Sequence, residues 1–352
     1  MEFGVQFFPN VDIADCSGEQ YFANSLAIAE EAERLGFTHA RIVEHYFHRY
    51  GGYSPNPLIF LSAVAQRTRT MRLVTGAVLP VFNHPLKLAG EIGMVDSISG
   101  GRLDVGFARA FLPHEFRRFG ISPDESHARF REGLEQIELL LTSEQATHHG
   151  RFHSFESITS LPRPSQRPRP KFYVAATQTP ETFEFAGRKG YSLMAIPIGS
   201  RMKDLFAIYR EAWRAAGHAG DGEIMVAFHM FCHEDGRMAR DIARIPFEAY
   251  FRALAEVTED FLTGPGSKDY DGYKESMAKF RAFTLESQIA SGGAWIGTPD
   301  EIVAIIEGGI DRMGPYEHAS LQINFSNLPL QDAQRSMRLF ARDVLPKFAG
   351  RE

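Results

Sequence analysis

The apolar positions of this chain change period in a regular way. Over Glu2 to Phe8 they alternate, as they do in a half-buried strand. Over Glu19 to Leu35, Phe22, Leu26, Ala29 and Ala32 recur at helical spacing, and Gly36 follows as a C-terminal stop. Ala40, Ile42 and Val43 form a short apolar run that reads as a second, buried strand. Asn56-Pro57 opens a helix to about Arg67, and Arg72 to Leu79 is a third strand. His84-Pro85 opens a helix to about Ser97, and the turn Ser99-Gly100-Gly101 leads into a fourth strand, Arg102 to Phe107. Four strand–helix repeats in succession argue for parallel strands joined by crossover helices.

The period then breaks. Ala108 to Asp124 is a long connection, and Glu125 to Leu141 is a strongly amphipathic helix. Residues 147 to 169 are polar and proline-rich and predict a hairpin and loop inserted on the rim. Alternation resumes with strands at Lys171 to Ala176, Tyr191 to Ile196 and Ile224 to Cys232. Helices follow them from Thr179 to Lys189, from Met202 to Ala216 and onward to about Glu256. Residues 263 to 293 have no clean period and read as a mobile lid loop. Gly297-Thr298-Pro299 opens a helix to Gly308, Ser320 to Phe325 is an eighth strand, and Leu330 to Phe348 is the last helix. The prediction is α/β: a single (β/α)8 TIM barrel spanning residues 1–352, with rim insertions and a lid. A doubly wound open sheet is the rival, and the lack of a GxGxxG after the first strand counts against it.

Composition narrows the function classes. The 352 residues are 44% hydrophobic, enough for a large core. The net charge is −6, and the basic run from Arg163 to Lys171 is broken by prolines, so nucleic acid is not an expected partner. Cys16 and Cys232 have neither CxxC nor histidine spacing, so no disulfide framework and no metal site is expected. No apolar run reaches membrane length, and MEFGVQFF enters a strand directly. A cytoplasmic protein without membrane contact is therefore the expectation.

The candidate chemistry gathers at the end of the second strand, in HARIVEHYFHRYGG, residues 39 to 52. Glu44, His45 and His48 follow the apolar run with no turn signal between. Titratable side chains at the carboxyl end of a barrel strand are where such a fold builds its active site.

Five stretches resemble the bacterial luciferase family of flavin-dependent monooxygenases, the luciferase alpha chain most of all. They are GFTHARIVEHYFHRYGGYSPNP, VTGAVLPVFNHPLKLA, MVDSISGGRLDVGFARAFLPHEFRRFG, KFYVAATQTPETFEFAGRKG and IGTPDEIVAII, in order along nearly the whole chain, and SMRLFARDVLPKF follows the alpha chain's last helix. The resemblance implies reduced FMN, FMNH2, across the carboxyl face of the barrel. Arg109 matches an arginine that grips the flavin phosphate, as a guanidinium fork suits. Ala176, Thr177, Gln178 and Thr179 match a phosphate-binding segment before a helix N-terminus. Gly76 and Ala77 fall where the family has a cis peptide beneath the flavin ring. His45 matches the active-site histidine, whose ordinary pKa of about 6.5 suits proton transfer. Glu115 matches an acidic position on the substrate side. The chain also departs from the alpha chain. Ala108 replaces a reactive cysteine, His127 an arginine and Gly90 a glutamate, and Ile196-Pro197 lies near its flavin-stacking tryptophan region. These changes point away from light emission and from a long-chain aldehyde.

The implied activity is that of a two-component monooxygenase working as a homodimer. A separate flavin reductase supplies FMNH2, and O2 and an organic substrate react through a flavin hydroperoxide, as in natural-product tailoring. The competing expectations are a deazaflavin-dependent dehydrogenase on the same barrel and a non-catalytic flavin-binding protein.

Overall fold

Short, fully buried strands alternate with capped helices, and the pairing register closes them into a ring. The computed structural model describes residues 1–198, 201–259 and 281–348. The parallel strands β1 (Glu2–Phe7), β2 (His39–Ile42), β3 (Arg72–Val78) and β4 (Leu103–Phe107) lie side by side in chain order. The hairpin β5 (Ala146–His149) and β6 (Ser154–Ile158) stands apart as a two-stranded sheet, the rim insertion expected from the sequence. β7 (Lys171–Ala175) continues the ring beside β4, then β8 (Ser192–Ala195) and β9 (Ile224–Cys232). A short strand β10 (Ala294–Gly297) precedes β11 (His318–Gln322), which pairs with both β9 and β1 and closes the barrel. The eight ring strands are the eight read from the sequence.

Helices form the outer shell: α1 (Gly18–Arg34), α2 (Pro57–Arg67), α3 (Pro85–Ser99), α4 (Pro113–Phe119), α5 (Ser126–Thr142) and α6 (Pro180–Lys189), followed by α7 (Met202–Ala215), α8 (Gly236–Val257), α9 (Leu285–Ser291), α10 (Pro299–Met313) and α11 (Leu330–Asp343). Their starts follow from local chemistry. The Asn56 side chain accepts from the Leu58 amide ahead of Pro57, and Thr298 and Glu301 form a reciprocal capping box on α10. Each such cap stabilises its helix by about 1 kcal/mol.

Four details differ from the sequence reading. The connection after β4 contains α4, whose Leu112 start offers no side-chain cap. Helix α10 does not stop at Gly308, because Ile302, Ile306, Gly309 and Met313 continue one buried stripe. Strand β10 was not anticipated. It pairs with the carboxyl half of β9, from Ala294 opposite His229 to Gly297 opposite Cys232. Of the expected lid, residues 263–280 lie outside the described residues. The rest holds α9, which buries Leu285 and is capped by Thr284.

The amino-terminal end of the barrel carries an ion-paired cluster. His318 lies between Glu2, 3.3 Å away, and Glu223, 3.1 Å away, and Lys171 reaches Glu223 at 2.6 Å. Burial alone would lower the pKa of His318, but the two carboxylates raise it to about 9. The hydrogen bond from His318 holds Glu2 and Glu223 down to about 2 each. Nearby, Arg72 of β3 pairs with Asp104 of β4.

Candidate active site

The opposite, carboxyl-terminal end is built from the loops that leave the strands. The loop after β2 is folded back on itself. The His45 amide donates to Ser54 O at 3.1 Å, and the Ser54 hydroxyl donates to Val43 O at 2.6 Å. Phe47, Ala110 and Ser326, in the loops after β2, β4 and β11, have φ values of 61°, 67° and 51°. Left-handed backbone at non-glycine residues costs energy and clusters where surrounding structure imposes a shape. Asn10 ties the β1 loop to the β11 loop by donating to Ser326 Oγ at 2.7 Å.

Two sequence-predicted residues meet here. Glu115, on α4 after β4, is fully buried. Its Oε1 lies 3.1 Å from His45 Nδ1 and accepts from the Tyr46 amide at 2.9 Å, while Oε2 has no hydrogen-bond partner among the described residues. Since Oε1 serves as acceptor to an amide, the imidazole donates Nδ1–H to it, and in the neutral ring the lone pair is then on Nε2. His114 of the same helix donates from Nε2 to Tyr46 O at 2.8 Å, so α4 grips the β2 loop at two points. The His45 ring is buried and packs against Phe8, Tyr50 and Phe111, with centroids 5.6, 5.5 and 5.9 Å away.

Glu44 points elsewhere. It accepts from the Tyr46 hydroxyl, from the Leu79 amide at 3.1 Å and from Asn83 Nδ2 at 2.8 Å, and so ties the β2 loop to the end of β3. Burial pushes its pKa up to about 8. His48 accepts from the Tyr50 amide at 3.1 Å and packs on His114, and burial lowers its pKa.

Beside His45 lies a cavity of about 350 Å³. Its walls are Tyr50, Phe111, Phe228, Tyr250, Phe251 and Phe283, its inner end is Gln6, His229 and Gln322, and its edge is Thr177, Gln178 and Thr179. Tyr50 and Phe111 are thus shared between the cavity and the His45 ring. Thr179 occupies the N-cap position of α6 but makes no side-chain capping bond. The Gly76–Ala77 peptide is cis, and Gly76 O accepts from Arg41 Nη2 at 3.1 Å. Ala77 and Ala176 are buried, and Arg109 is half-buried on the loop after β4, the strand next to β7. Among the described residues no cluster of three or more histidine, cysteine or acidic side chains could hold a metal ion, and no helix is long and apolar enough to cross a membrane.

Sequence reading missed most of the cavity lining. The aromatic walls from α8 had no signal beyond ordinary helical spacing. His229 did leave one, as the single polar residue of an otherwise apolar strand, whereas Gln6 and Gln322 share their strands with other polar residues.

Comparison with known proteins follows this geometry. The family model described as "Luciferase-like monooxygenase" matches residues 1–316, and the chain belongs to that family of oxidoreductases. The oxygenase component of flavin-dependent trigonelline monooxygenase from Acinetobacter baylyi is 28% identical over 342 residues, 94% of this chain and 91% of that protein. Uncharacterized protein y4wF of Sinorhizobium fredii is 33% identical over 210 residues, and that match covers 60% of each chain. Among solved structures, monooxygenase RslO1 from Streptomyces bottropensis is 44% identical with a TM-score of 0.89, covering 99% of this chain and 100% of that one.

Proposed function

Within the luciferase-like family, we propose that this protein is the oxygenase component of a two-component, FMN-dependent monooxygenase. A separate reductase supplies FMNH2, and the product is an oxygenated organic molecule. The observation that carries the reading is the buried His45–Glu115 pair beside an aromatic cavity whose edge is Thr177, Gln178 and Thr179 at the amino end of α6.

The residues present fit a flavin phosphate at that edge. The Thr179 hydroxyl, not engaged in capping, lies at the amino end of α6, where the helix dipole favours an anion. Thr177 and Gln178 border the same edge, and Arg109 brings a guanidinium from the adjacent strand's loop. Small side chains at Ala77 and Ala176 suit the close approach of a planar ring system. When bound, reduced flavin supplies the two electrons with which O2 is activated. The chain's own part is to exclude water with the aromatic walls and to move a proton at His45 Nε2. Glu115 fixes the ring's tautomer and orientation, as a carboxylate does for a catalytic imidazole in general.

The trigonelline enzyme supports a modest organic substrate, and natural-product tailoring is the role we propose. A homodimer is also proposed. Ile59 on α2 and Met94 and Ile98 on α3 are 71%, 55% and 40% exposed on neighbouring helices, a surface suited to a second copy. Light scattering should then give about twice the chain's 39.5 kDa.

The test of function is anaerobic stopped-flow. FMNH2 premixed with the protein and then exposed to O2 should return to oxidised FMN more slowly than free FMNH2 does. A reoxidation rate equal to that of free flavin would overturn the proposal. Binding of a reduced deazaflavin in place of FMNH2 would move the protein to the dehydrogenase reading.

A further inference from the structure

The inner end of the cavity holds a row of polar side chains that a packed barrel does not require. Ring interiors of this fold are filled mainly by branched apolar residues. Here Arg41 of β2 stands opposite Gln6 of β1, Gln6 opposite Gln322 of β11, and Gln322 opposite His229 of β9. Matched positions on parallel neighbours face the same side of the sheet, so four consecutive strands present one polar band to the interior. All four residues are buried, at 7%, 6%, 2% and 9% exposure.

The band is short of acceptors. Arg41 donates from Nη1 to Gln6 Oε1 at 2.8 Å and from Nη2 to Gly76 O at 3.1 Å, both neutral, and its Nε has no partner among the described residues. Among the described residues no carboxylate forms an ion pair with it. Burial lowers its pKa to about 10, which still leaves it charged at neutral pH. A guanidinium can only donate, so Gln6 must turn Oε1 toward it and Nε2 away from it. Gln322 Nε2 and His229 Nε2 are also buried without partners among the described residues, and Gln6, Gln322 and His229 line the cavity. Gly76 belongs to the arrangement, because a Cβ there would meet Arg41 Nε at 1.9 Å. Unpaired buried donors around an unneutralised cation are costly unless a ligand supplies the acceptor.

We infer that this band is an oxyanion subsite, which takes the carboxylate, phenolate or enolate oxygen of a planar aromatic substrate. The amides of Gln6 and Gln322 donate to the oxygen. Arg41 orients Gln6 and supplies the compensating charge, and the aromatic walls hold the ring. The inference rests on the cavity being the ligand site of the proposed monooxygenase. An anionic reduced flavin could offer the same chemistry from its ring edge, and the experiment separates the two sources.

The probes are 2-naphthoate and its neutral analogue 2-acetylnaphthalene, titrated calorimetrically into the full-length protein at pH 7.5. The parent should bind naphthoate at least about tenfold tighter, the scale of one charge-assisted hydrogen bond. Arg41→Met should erase that preference and leave the ketone's affinity unchanged. Gln322→Leu, which keeps the charge, should reduce it severalfold, and it carries the test alone if Arg41→Met does not fold. Equal affinity of the parent for both probes, or full preference in the variants, would overturn the inference. A repeat under saturating FMNH2 without oxygen should leave the preference intact. Loss of naphthoate binding there would overturn the substrate assignment and give the subsite to the flavin. Failure of FMNH2 to bind, with naphthoate preference intact, would refute the flavin reading and leave the subsite standing.

Discussion

The two ends of the barrel treat buried charge differently. At the amino-terminal end His318 is flanked by Glu2 and Glu223, Lys171 reaches Glu223, and Arg72 meets Asp104. Each of these positive groups has a negative partner. At the carboxyl-terminal end, among the described residues, Glu115 keeps one oxygen without a partner, Gln322 and His229 each keep a nitrogen without one, and Arg41 has only neutral acceptors. The first arrangement stabilises the ring. The second holds polar atoms whose partner a ligand can supply, which is why the same fold concentrates chemistry at one end.

Breaking the contrast at the carboxyl end should have the largest effect. His45→Ala should cut single-turnover product formation by about 10²–10⁴-fold, the usual contribution of a general acid–base group, while FMNH2 still binds. Activity equal to the parent's would remove His45 from the mechanism. His48→Ala should cost much less, since His48 serves a local turn. Next is Arg109→Ala, expected to weaken FMNH2 binding by roughly 2–3 kcal/mol, measured anaerobically by absorbance titration. An unchanged affinity would place the phosphate elsewhere.

At the amino end the expected effect is on stability and depends on pH. His318 has a raised pKa in the fold, so its contribution is complete below 6.5 and fades as pH rises through about 9. Glu2 and Glu223 have lowered values, so theirs is complete above 4.5 and fades as pH falls toward about 2. Stability from this cluster should therefore peak between these limits. Glu2 is more than half exposed, so the total is on the order of 1–2 kcal/mol. His318→Gln should flatten the alkaline decline in melting temperature without altering FMNH2 affinity. A decline identical to the parent's would mean the cluster is screened by solvent. The smallest effect belongs to neither end. Gly90→Ala on α3, where the added Cβ would have only Leu161 O at 3.6 Å, should raise stability by about 0.5–1 kcal/mol in denaturant unfolding.

The fold was legible because most ring strands read as separate apolar runs and several helices carry their own start signal, as Asn56-Pro57 and Thr298-Pro299 do. Strand β10 was not, because four residues after Gly292-Gly293 give no period to read. Helix α4 escaped for a similar reason, being seven residues long with no polar cap. At the site, His45 was visible at a strand end, but its contact with Glu115 spans 70 positions of sequence and no local pattern encodes it. Only the family resemblance brought the two forward together. His229 is a single polar break in an apolar strand, while Arg41, Gln6 and Gln322 share short strands with other polar residues. Taken singly they carry little meaning, and only the strand register aligns them.

Strand β9 has a further consequence. Its nine residues outlast their first neighbour: β8 accompanies it only as far as Val226, and β10 joins from His229. The hydrogen-bonded ring therefore forks there, and Ala227 and Phe228, at the fork, border the cavity. The barrel has a split seam on that side. On that side the cavity is bordered by backbone whose ladder partner changes, from β8 below it to β10 above it.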